Sequence, residues 1–101
     1  MAGVSNPYRY WTEAIAASQT SVALGATGAT GDYLHRLVVA VATAATSTVS
    51  VIDGSTTILS IPANTPVGVY DVDIEAAAVT GPWKITTGAG VTVLAVGIFS
   101  A

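Results

Sequence analysis

Val67-Gly68-Val69-Tyr70-Asp71-Val72-Asp73-Ile74-Glu75-Ala76 alternates apolar and acidic side chains without a break from Tyr70 to Glu75. Successive side chains of an extended chain point to opposite faces. Tyr70, Val72 and Ile74 therefore share one face, and Asp71, Asp73 and Glu75 share the other. The stretch reads as a strand that is packed on one side and solvated on the other.

Working outward, the neighbouring segments carry the same β chemistry. Downstream, Thr80-Gly81-Pro82 turns the chain into Trp83-Lys84-Ile85-Thr86-Thr87, with Trp83, Ile85 and Thr87 on one face. Gly88-Ala89-Gly90 turns it again into Val91 to Phe99, an apolar closing strand. Upstream, Pro62-Ala63-Asn64-Thr65-Pro66 is a loop. Thr48 to Ile52 and Ser55 to Ile61 flank Asp53-Gly54, a strong hairpin signal because this pair tolerates the positive φ of a type I′ turn. Thr46-Ser47-Thr48 reads as a turn. Tyr33 to Thr43 is the longest strand expected, with Leu37, Val39 and Val41 on one face and Leu34, Val38 and Ala40 on the other. A strand that is apolar on both faces belongs at the centre of a sheet or at a subunit contact. Gln19 to Leu24 reads as a short strand, and Glu13 to Ser18 fits either a helical turn or an edge strand. Gly25 to Asp32 is a Gly-rich loop, with no Gly-Lys-Ser/Thr to make it a phosphate loop.

About seven strands joined by short Gly/Pro loops predict an all-β fold. The expected form is an antiparallel β-sandwich, jelly-roll-like or Ig-like, since each sheet must bury a face. The 101 residues make one such domain, read as residues 13–101, preceded by an aromatic arm at residues 1–12.

Composition narrows the function. Only 9% of residues are charged, with 51% apolar and a net charge of −3. A soluble monomer normally carries charge on roughly a quarter to a third of its surface. Either Thr, Ser and Gly supply the polar surface here, or something else covers it. No apolar run approaches the ~20 residues of a membrane-spanning helix, the chain is short for an outer-membrane barrel, and no signal peptide is read at the N-terminus. Three basic residues argue against nucleic acid as a partner. The absence of cysteine fits assembly in a reducing cytosol and removes disulfides and thiolate metal sites.

Catalytic chemistry finds little support. His35 is the single histidine, placed mid-strand beside Arg36, and there is no Gly-x-Ser-x-Gly elbow. Asp71, Asp73 and Glu75 lie along one strand face, the outer two about 13 Å apart, too far to share one ion. They read as a solvated stripe that blocks edge-to-edge aggregation and can meet Arg9, Arg36 or Lys84 of a neighbouring subunit. No enzyme, cofactor or metal is expected. The interaction candidates are that stripe and Tyr8, Arg9, Tyr10 and Trp11, residue types favoured at interface hot spots.

Three segments carry a resemblance to a known group. They are Gly25-Ala26-Thr27-Gly28-Ala29-Thr30-Gly31-Asp32-Tyr33-Leu34, the Val51-Ile52-Asp53-Gly54-Ser55 hairpin, and Gly81-Pro82-Trp83-Lys84-Ile85-Thr86-Thr87-Gly88 to Val96-Gly97. In pattern and composition the chain resembles small β-sandwich virion proteins of tailed bacteriophages, which decorate or cement capsids. The resemblance implies a structural protein of the virion, assembled in the host cytoplasm. It implies a homo-oligomer, trimeric or pentameric, bound to the major capsid protein or to other virion proteins. Head-fibre, neck and tail components are alternative places on the particle. A carbohydrate- or receptor-binding module, with Tyr8, Tyr10, Trp11, Tyr33 and Trp83 as a stacking platform, is an alternative of a different class.

Overall fold

The computed structural model describes residues 11–25, 30–42 and 49–99, with Trp11 described by its backbone. Among these residues lie eight strands: β1 Trp11–Ile15, β2 Val22–Ala23, β3 Tyr33–Val41, β4 Val49–Asp53, β5 Thr56–Ile61, β6 Gly68–Ala77, β7 Trp83–Thr86 and β8 Val91–Ile98. They form two four-stranded sheets, ordered β1-β8-β3-β6 and β2-β7-β4-β5. Every pairing is antiparallel.

The pairing scheme fixes the topology. First pairs with last, second with seventh, third with sixth and fourth with fifth, as in one long ribbon folded at the β4–β5 turn. Alternate pairs lie in alternate sheets. This is a jelly roll, and it differs from the immunoglobulin arrangement of ABED against CFG.

The strand of the opening stretch is β6. Its inward side chains, Tyr70, Val72, Ile74 and Ala76, are half-buried, and the residues between them are exposed. At ten residues it exceeds the nine of β3, which was expected to be the longest. β3 is interior, flanked by β8 and β6. Its faces differ from a strict alternation, because Leu34 is buried together with Leu37, Val39 and Val41. A bulge between Leu34 and Arg36 shifts the register by one and rotates Leu34 to the core side.

Of the stretch Glu13 to Ser18, residues 13–15 belong to the edge strand β1, which pairs with β8 along its whole length, and Ala16 to Ser18 turn away from it. Trp11 and Thr12 already pair with Gly97 and Val96, so a division at residue 12 between arm and domain runs through β1. The strand read over Gln19 to Leu24 shrinks to Val22–Ala23. Ser18 and Ser21 adopt positive φ, 59° and 48°, as the chain leaves one sheet for the other. Thr87 anchors this crossover: its hydroxyl donates to the Ala16 carbonyl at 2.6 Å and accepts from the Gln19 amide at 3.0 Å. The turn read at Thr46-Ser47-Thr48 and residues 26–29 of the Gly-rich loop lie outside the described residues.

The β4–β5 hairpin forms, with a different turn from the one expected. Asp53 pairs with Thr56, leaving Gly54 and Ser55 as the two-residue loop. Gly54 has φ +62° and Ser55 does not have positive φ, the pattern of a II′ turn. Asp53 is needed elsewhere. It is 6% exposed, and its carboxylate accepts from the Val79 amide at 3.0 and 3.1 Å and from the Thr80 amide at 3.2 Å. The Gly54 amide donates to the Pro82 carbonyl at 2.9 Å. A Cβ on Gly54 would sit 2.7 Å from the Thr80 hydroxyl and 2.9 Å from the Thr80 carbonyl carbon. The hairpin tip is thus clasped by residues 79–82. Removing the carboxylate strands two backbone donors, so Asp53→Ala should lower stability by about 2–4 kcal/mol and Asp53→Asn by roughly half as much. Urea midpoints measure both; an Asp53→Ala midpoint equal to wild type would show that the clasp is not held this way.

Candidate interaction surfaces

Facing inward, the two sheets bury Leu24, Leu34, Leu37, Val51, Trp83 and Ile85, among others, in one core cluster. The opposite face of the first sheet is unusual for an antiparallel sheet, which normally carries polar residues on its wet side. One cross-strand row runs Ala14, Leu94, Val38 and Asp71, and the next runs Thr92, Ala40 and Val69. Leu94 is 37% exposed and Val69 71%. A shallow hollow of about 340 Å³ lies over Ala14, Ala16, Val38, Ala40 and Leu94. No charged side chain lines it. β1, β8 and the C-terminal half of β3 thus present a smooth apolar surface made largely of small side chains.

Charge enters this face at β6. Asp71, Asp73 and Glu75 are exposed along it, as the alternation predicts. Arg36 meets Asp71 of its own chain at 3.3 Å, instead of reserving itself for a neighbour. Both groups are well exposed, so the pair contributes little to stability. Glu75 has φ +51°. It lies where two β6 residues, Ile74 and Glu75, oppose one β3 residue, His35. His35 is half-buried there, its ring 6.2 Å from that of Tyr33 and tilted by 30°. Among the described residues, no group of three or more His, Cys, Asp or Glu side chains is placed to hold a metal ion.

The second surface is a cleft between the sheets where their edge strands β5 and β6 face each other. Its volume is about 420 Å³, and Ile58, Leu59, Ile74, Ala76, Val79 and Trp83 line it, with Asp53 and Asp73 at its polar margin. The core is unfinished here. Leu59, Ile61, Tyr70, Val72 and Ile74 pack against it but stay partly exposed, while the inward residues of β3 are fully buried.

Comparison with protein-family models, with curated proteins and with solved structures gave no match. The reading of these surfaces therefore rests on their own chemistry. Tyr8, Arg9 and Tyr10 lie outside the described residues, as does the Trp11 side chain. The stacking platform loses one member: Trp83 is 2% exposed, and its indole N–H donates to the Asp32 carbonyl at 3.0 Å. Its place on the inner face of β7 puts it at the floor of the cleft, with too little exposed ring to serve as a stacking platform. Tyr33 is half-buried. The cleft was missed by sequence reading. Its signal is long-range, because only strand order reveals that β5 and β6 are both edges on the same side.

Proposed function

We propose that this chain is a structural subunit that works by packing its jelly-roll domain against other proteins, as a decoration or cement protein of a bacteriophage capsid. The observation that carries the packing role is the apolar outer face of β1, β8 and β3. A contiguous apolar patch on a sheet face is a recurrent mark of protein–protein contact. Here it coincides with a sequence that has too little charge to solvate its own surface. The place on the virion rests on the pattern-level resemblance of residues 19–100. Major capsid protein and further copies of the same chain are the partners it favours.

Light scattering on the purified chain, and co-sedimentation with phage shells, test the proposal. The wild type should self-associate or bind shells. Leu94→Asp puts a charge at the centre of the patch and should weaken that binding by about tenfold or more, with melting unchanged, because Leu94 faces outward. A wild-type chain that stays monomeric and ignores shells would overturn the reading.

A further inference from the structure

We propose that the cleft between β5 and β6 receives the N-terminal segment Tyr8-Arg9-Tyr10 of a second copy of this chain. The inference rests on the subunit-packing reading and names the partner of one surface.

Three observations converge on this occupant. The first is the unfinished core. Inward side chains of β6 and β5 are half-exposed around an apolar volume of about 420 Å³, and aromatic side chains complete such a site at low entropic cost. β5 and β6 are each outermost in their sheet among the described residues, and such edges can also bond an extended segment through its main chain.

The second is charge. Asp73 lines the cleft, and Asp71 and Glu75 flank it on the same strand. The sequence has three basic residues, Arg9, Arg36 and Lys84. Arg36 is already paired with Asp71. Lys84 lies in the other sheet, on the outward face of β7 between the inward Trp83 and Ile85. Arg9 is the remaining base, and it sits between the two tyrosines that suit the apolar part.

The third is reach. Trp11 pairs with Gly97, Gly97 with Leu34, and Leu34 with Ala76, so β1 starts in the same cross-strand row as the cleft residue Ala76. That row is about 14 Å long, three strand spacings. The Cα of Tyr8 lies at most about 10–11 Å from that of Trp11. The segment's backbone therefore stops short of its own cleft, so main-chain bonding to the cleft edges is open to it only on a neighbour.

The test uses the full chain and its association measured by light scattering across a concentration series. Arg9→Asp and Asp73→Arg should each weaken self-association by about tenfold or more, and the double swap should recover most of it. Val79→Arg, at a position 74% exposed on the cleft wall, should weaken association without lowering the melting temperature. Mixing a Tyr8→Ala/Tyr10→Ala chain with a Val79→Arg chain should give a 1:1 complex, since one intact segment then meets one intact cleft. Loss without recovery in the double swap overturns the inference. So does association that responds to Leu94→Asp but to none of these variants, and so does a monomeric wild type that still binds shells; in both cases the subunit-packing reading survives. A wild type that neither self-associates nor binds shells removes both.

Discussion

Trp83→Ala is expected to lower stability by about 3–5 kcal/mol, the range for emptying a large aromatic site. Domains of this size hold roughly 5–15 kcal/mol in all, so much of the margin would go. Trp83 opens β7, pairs with Asp53 of β4 and is 2% exposed within the core cluster. Its indole N–H donates to the Asp32 carbonyl, which also accepts from the Ala78 amide at 2.8 Å. The ring thus ties β7 to the segments flanking β3 and β6, across the gap between sheets. Trp83→Phe keeps most of the apolar volume and loses the hydrogen bond, so it should cost about 1–3 kcal/mol. Urea unfolding followed by far-UV circular dichroism separates the two variants. Near-equal costs would mean that the hydrogen bond, and not the packed volume, dominates.

Gly97→Ala should be nearly as damaging, at about 3 kcal/mol, the upper end of overpacking. A Cβ there would collide with the Tyr33 carbonyl oxygen and lie 2.7 Å from Cζ of Phe99. Phe99 could rotate aside. The carbonyl could not, because it belongs to the β3–β8 pairing beside the bulge, where Tyr33 faces Ile98 and Leu34 faces Gly97. Phe99→Ala added to Gly97→Ala should therefore fail to rescue the melting temperature. Recovery in that double variant would place the clash on the ring instead.

Local periodicity was legible where a strand has one wet face. β6 follows the alternation of Tyr70 to Glu75, and β7 places Trp83 and Ile85 inward as the sequence reads. Long-range pairing was not legible. Nothing within Tyr33 to Val41 announces the bulge at Leu34–Arg36, since the shift arises from what β6 and β8 offer opposite. Asp53-Gly54 marked the hairpin correctly, yet Asp53 serves as a buried acceptor for residues 79 and 80, a partnership 26 and 27 positions away. Trp83 shows the same limit: an aromatic residue beside a lysine reads equally as surface or core until the sheets are stacked. Of the candidate site, the acidic stripe was readable. The apolar outer face was foreshadowed by the two-sided apolarity of β3, and the cleft depended on knowing which strands are edges.

The order β1-β8-β3 has a consequence for the nascent chain. β8 is the last of the eight described strands to be synthesised, yet it holds β1 and β3 together, with Ile15 paired to Val93. Until Val91 to Ile98 leaves the ribosome, the first sheet has a hole at its centre, and β1 and β3 each expose a bonding edge. Closing such distant pairs is slow. A chain that stalls before β8 cannot fold partially into something useful. It offers sticky edges to its neighbours during the interval when many copies are being made side by side.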